Sequence, residues 1–170
     1  RRATTSRSTS RSSCHHRQES STSSNGTNHE AQPRLIGFLA SHVGSTHRLQ
    51  LLRQCLDSVA AQTVICDAFY VSWSAEARLV ADVAALLATH SKVLTPLHQK
   101  TRLSQYEHLR EAARTARRDH RGAPGRRVWC FFSDDDDLWH PKRAAVYRAA
   151  CAQREANHGR TTLVLQSYAQ

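Results

Sequence analysis

One stretch of this chain concentrates charge where chemistry could use it. In Phe131-Phe-Ser-Asp-Asp-Asp-Asp-Leu-Trp-His-Pro141, four carboxylates stand in a row, Asp134, Asp135, Asp136 and Asp137. Adjacent carboxylates repel, so they either raise one another's pKa or recruit a cation. Oxygen donors suit Mg²⁺ or Mn²⁺, and Mg²⁺ commonly takes one or two carboxylates and leaves positions for substrate phosphates. The competing reading is a solvated acidic loop in which one Asp, Asp137 for example, caps the helix that opens near Pro141. The run is conspicuous because the remainder of the chain is basic. Lys and Arg number 24 against 14 Asp and Glu, a formal net charge of +10. That balance points to an anionic partner.

The other candidate groups say less. Cys14, Cys55, Cys66, Cys130 and Cys151 are odd in number and contain no C-x-x-C pair. Neither a disulfide scaffold nor a zinc ribbon fits, and reduced, mostly buried thiols suit a cytoplasmic setting. Cys14-His15-His16 lies in a polar tract that offers a metal no fixed geometry. Residues 1–32 are rich in Ser, Thr and Arg and can bury almost nothing, which predicts a disordered tail. The same acid-poor composition matches an organellar transit peptide. No stretch approaches the roughly 20 apolar residues of a membrane span. With 170 residues and 39% hydrophobic content, one domain plus a tail is expected. The chain contains no Met, which suggests a fragment or a processed form.

The elements that must position the acidic run alternate in type. Residues 34–41 form a short apolar run that reads as a buried strand, after which Leu49, Leu52, Leu56 and Val59 recur at helical spacing. Ala68 to Trp73 is a second strand, Ala75 to His90 a helix, and Lys92 to Thr95 a third strand cut off by Pro96. Leu103 to Arg118 is a long basic helix ended by Arg121-Gly-Ala-Pro-Gly125. Arg127 to Phe132 lacks polar alternation and is expected to be buried on both faces. Pro141 suits the first turn of the next helix, and Thr161 to Leu165 would be a fifth strand. Strands alternating with helices imply an α/β fold of three layers, α/β/α, around a mostly parallel sheet. In such sheets ligands bind beyond the carboxyl ends of the strands, where the acidic run stands.

The strand followed by Ser-Asp-Asp-Asp-Asp-Leu-Trp-His-Pro-Lys-Arg resembles the Asp-x-Asp segment of family 2 glycosyltransferases, which have the GT-A fold. Leu35 to Thr63 resembles that family's opening unit: an apolar strand, a polar loop, a helix with Leu52 and Leu56, and the ending Ser58…Gln62-Thr63. The resemblance runs from about Leu35 to Gln170. It implies residues 33–170 as a Rossmann-like, nucleotide-sugar-binding domain, truncated at its C-terminus. It further implies a nucleotide-sugar donor and a bound Mn²⁺ or Mg²⁺. Asp136 matches the metal ligand, and Asp134 the ribose or a second metal contact; Asp135 is an alternative because four Asp allow the register to slip by one. Such an ion bridges the donor's diphosphate and stabilises charge on the leaving nucleoside diphosphate. The resemblance implies inverting transfer to a glycan, lipid or protein hydroxyl, with the catalytic base expected beyond Gln170.

Around that motif, Ser41 and His42 fall where base and ribose would meet the first loop. Trp73 is a candidate to stack on the base, or alternatively to pack in the core, although Ser72-Trp73-Ser74 replaces the family's usual acidic pair and leaves the nucleobase open. Lys100 and Arg102 are candidates to neutralise a phosphate, Arg in a bidentate manner. Trp139 and His140 are candidates to line the sugar pocket, Trp139 alternatively a packing anchor. A non-catalytic nucleotide-binding domain is the second reading. A basic nucleic-acid module is the third, and no nucleic-acid partner is expected, because aromatic residues are only 6% and no recognised binding pattern appears. No glycine-rich phosphate loop is present, and an Asp-x-Asp phosphatase would carry its motif after the first strand.

Overall fold

Four parallel strands in the order β3-β2-β1-β4 form the sheet of this computed structural model, which describes residues 33–121 and 127–158. The chain runs β1 (Arg34–Val43), α1 (Thr46–Ala60), β2 (Ala68–Ala75), a 3-10 turn (Ala77–Leu79), α2 (Val80–Thr89), β3 (Thr95–His98), α3 (Gln105–Asp119), β4 (Val128–Asp134) and α4 (Arg143–His158). Strands β1 and β2 are central and buried on both faces, which is why they read as largely apolar runs, with buried Ser41, Ser72 and Ser74 towards their carboxyl ends. On one face Leu35, Leu39, Phe69 and Phe131 pack with Leu52 and Leu56 of α1, Leu86 and Leu87 of α2, and Cys151 of α4. On the other face Ile36, Phe38 and Tyr70 meet Ala112 and Ala116 of α3. These are the three layers expected, with a parallel sheet of Rossmann-like type.

Gly37 marks the tightest approach. A Cβ there would overlap the rings of Phe69 and Phe131, so only glycine lets β1 sit beside both aromatics. Ser45 caps α1 by accepting from the Arg48 N–H (3.2 Å), and Ser104 with Glu107 forms a reciprocal capping box at α3.

Several expectations are corrected. β3 begins at Thr95, not Lys92, and Pro96 lies inside it opposite Val71. An edge strand tolerates a missing N–H that a central one would not. β4 is not buried on both faces: Trp129, Phe131 and Ser133 point inward while Val128, Cys130 and Phe132 are exposed. It is an edge strand of the sheet, and α3 packs on β1 and β2 instead. Ala75 ends β2, and the helix after it starts only at Val80. α4 starts at Arg143, two residues past Pro141, and Asp137 lies six residues before that start. Its carboxylate is instead 4.0 Å from the Arg143 guanidinium. Of the cysteines, Cys55 and Cys151 are buried, Cys66 is intermediate and Cys130 exposed, all as free thiols. Residues 1–32 with Cys14-His15-His16, the Gly122–Gly125 part of the breaker and Thr161 to Leu165 lie outside the described residues. Among the described residues no helix is long and apolar enough to cross a membrane.

Candidate functional site

Because all four strands are parallel, their carboxyl ends share one edge, and β1 and β4 end there side by side, Ala40 opposite Asp134. A cleft of about 390 Å³ opens at this edge. Ser41 and His42 from β1, Asp134, Asp135 and Asp136 from β4 and its turn, and Arg102 from the loop before α3 all line it. Arg48 from the first turn of α1 and Gln105 and His108 from the first turn of α3 complete the walls.

The three cleft carboxylates have different surroundings. Asp135 is buried, accepts from Ser41 Oγ (2.6 Å) and is ion-paired with Arg48 Nη2. Burial pushes its pKa above the usual carboxylate range, while Ser41 and Arg48 pull against that rise. Asp136 is half exposed and accepts from Arg48 Nη1 (3.0 Å). Burial pulls the Arg48 guanidinium down, and the two aspartates more than offset it, so its pKa lies above the ordinary value. Asp134 is exposed and accepts from Gln105 Nε2 (2.6 Å). Beneath the turn, the Cys55 thiol lies 3.6 Å from the Asp134 carbonyl; burial pushes its pKa up to about 12, which leaves it a thiol.

Behind the histidines of the cleft lies a buried hydrogen-bonded network. His108, 1% exposed, sits between Ser72 Oγ (2.9 Å from Nδ1) and Ser74 Oγ (3.1 Å from Nε2). His42 Nδ1 meets the same Ser74 hydroxyl at 3.0 Å, and Gln99 Nε2 donates to Ser72 (3.2 Å). Burial lowers the His108 pKa, with the nearby His42 adding to the shift and Glu107 opposing it. A neutral imidazole both donates and accepts, so it joins two hydroxyls without burying a charge.

The helix ending Ser58…Gln62-Thr63 has a mechanical role in this arrangement. Ser58 Oγ accepts from the Trp139 N–H (2.9 Å), Gln62 Nε2 donates to the His140 carbonyl (2.9 Å), and the Thr63 N–H donates to the Pro141 carbonyl (2.9 Å). Gln62 Oε1 also accepts from Ala144 N–H (3.0 Å), the capping role that Asp137 does not take. Together they hold the loop that follows the acidic run.

Of the residues singled out from sequence, Ser41, His42, Arg102, Asp134, Asp135 and Asp136 come together in the cleft. Trp73 is buried and stacks on His98 with ring centres 4.2 Å apart. Trp139 is also in the core: its ring packs on Phe69 and Phe131, its Nε1 donates to Ser133 Oγ (2.9 Å), and Arg143 covers it. Lys100 and His140 are exposed and do not line the cleft. Arg48, Gln105 and His108 were not anticipated. Arg48 looks like one more basic residue of a basic chain; only the N-cap at Ser45, which fixes the start of α1, hints at its direction.

The donor set fits a hard divalent cation. Asp134 and Asp136 present carboxylate oxygens to the cleft, and Mg²⁺ needs only one or two of these beside phosphate and water. No cluster of three or more His, Cys, Asp or Glu arranged to hold a metal occurs among the described residues, so the protein alone would not saturate such an ion.

No family model and no curated protein matches the chain. Among solved structures, it is similar to the crystal structure of S. aureus TarS, a family 2 glycosyltransferase, with a TM-score of 0.50 at 13% sequence identity. The superposition covers 74% of this chain and 33% of TarS, so the chain spans about a third of that structure. At that identity the likeness establishes the fold, and the chain has an α/β/α architecture of the GT-A type.

Proposed function

We propose that this chain is the nucleotide-sugar-binding part of a metal-dependent glycosyltransferase, moving a sugar from a nucleoside-diphosphate donor to an acceptor hydroxyl, with inversion. The observation that carries this reading is the placement of Asp134 and Asp136 at the carboxyl edge of a parallel sheet, in a cleft between β1 and β4. Ligands of open α/β sheets lie at that edge. Mn²⁺ or Mg²⁺ held by Asp136 and Asp134 would neutralise charge on the departing diphosphate. Arg102 adds a second cation for phosphate, and Ser41 and His42 face the base and ribose. The buried Ser72–His108–Ser74 network keeps the His42 ring in place. Among the described residues no fourth carboxylate lines the cleft, so the acceptor's base is sought outside them.

Titration calorimetry with UDP, GDP, TDP and CDP tests the reading, first with Mn²⁺ and then with EDTA, on the wild type and Asp136→Asn. One nucleotide should bind with the metal, lose at least about 10-fold in affinity with EDTA, and bind weakly to Asp136→Asn. Binding of no nucleotide, together with salt-sensitive binding of nucleic acid, would reject the reading.

A further inference from the structure

Arg48 holds Asp136, the carboxylate that the reading above gives to a divalent cation. Its two terminal nitrogens divide between Asp135 and Asp136, and the guanidinium is only partly covered, so it can leave one partner without leaving the other. The two carboxylates are unequal. Asp135 is buried and also fixed by the Ser41 hydroxyl, whereas Asp136 is 47% exposed and has Arg48 as its cationic partner. Charge explains why the arrangement cannot persist once a diphosphate enters. Three cleft carboxylates face the two arginines Arg48 and Arg102, leaving the cleft already negative. An incoming diphosphate would meet that excess, and a divalent cation removes it.

We propose that Arg48 is an exchangeable counter-cation. It holds the Asp135–Asp136 pair until a divalent cation takes Asp136, stays tethered by Asp135, and turns its released N–H edge to the donor phosphate. This rests on the metal-dependent reading above and adds a positioning residue that makes metal and donor binding interdependent. A planar guanidinium suits both jobs, because its fork bonds carboxylate and phosphate alike.

The test is Mn²⁺ alone, titrated into the full chain without nucleotide and followed by the electron paramagnetic resonance of the unbound ion. Removing the competing guanidinium in Arg48→Gln should tighten Mn²⁺ binding about 10-fold, the worth of one charge-assisted hydrogen bond. Arg48→Lys retains a charge beside buried Asp135, and so protects the fold, but cannot bridge both carboxylates; it should tighten binding about threefold. Wild-type affinity or weaker in both variants overturns the role of Arg48 and leaves the metal reading standing. Absence of Mn²⁺ binding in the wild type and both variants overturns the metal reading and the role of Arg48 with it.

Discussion

The two walls of the cleft solve opposite problems. On the β4 side, carboxylates are held by a half-exposed arginine, a glutamine and a serine, and two of the three aspartates reach solvent. On the β2 side, one buried neutral histidine ties two serine hydroxyls together, and a second histidine shares one of them. Exposed ion pairs contribute little to stability and can change partners, whereas a buried polar network is costly to leave half satisfied. The buried histidine–serine network therefore keeps the shape of the site, and the β4 side carries the solvated charge.

Breaking the neutral wall should have the largest effect on folding. His108→Leu leaves Ser72 and Ser74 each short of a partner in a buried position and should cost about 2 kcal/mol in chemical denaturation. A loss below about 0.5 kcal/mol would show that the network does not support the fold.

Acid sharpens the contrast further. The folded pKa of His108 lies below its ordinary 6.5, so below about pH 6.5 the unfolded chain binds more protons. The stability from neutral His108 is complete above that pH and is lost as the pH falls towards the folded pKa. His120, also lowered by burial and by Arg34, acts in the same direction. Asp135, raised by burial, acts with the opposite sign: as the pH falls into the carboxylate range, the folded state takes up its proton first and gains stability. Denaturation between pH 5 and 8 should show stability falling on the acid side, and His108→Gln should flatten that fall. An unchanged profile in the variant would remove His108 as its source.

The smallest effect on stability is expected on the charged wall. Asp136→Asn should shift stability by less than about 0.5 kcal/mol, since its ion pair is solvated, even though it should weaken the metal-dependent nucleotide binding proposed above. A loss of 2 kcal/mol there would mean that the run is structural.

Much of the fold was legible because its signals are local. The apolar runs of β1 and β2 and the helical spacing of Leu52 and Leu56 each act within a few residues. The errors arose where sheet position overrides local pattern. Pro96 looked like a terminator and lies inside an edge strand; Phe131-Phe132 looked doubly buried, although only Phe131 is inside. In the site, Ser41, His42, Arg102 and the acidic run were legible from their places after strands. Trp73 and Trp139 were ambiguous, because an aromatic next to a strand end serves core or cleft equally well until its neighbours are known.

The sequence by itself determined the alternation of strands and helices, and it set four carboxylates directly after a strand in an otherwise basic chain. Tertiary structure alone decided which carboxylate is buried, which helix starts face the cleft, and which of the many arginines meets the acids. The reason is distance along the chain. Arg48 meets Asp136 across 88 residues, Ser41 meets Asp135 across 94, and His108 meets Ser72 across 36. Periodicity reaches one or two turns of a helix, whereas the order of strands in a sheet brings together residues that no local pattern relates.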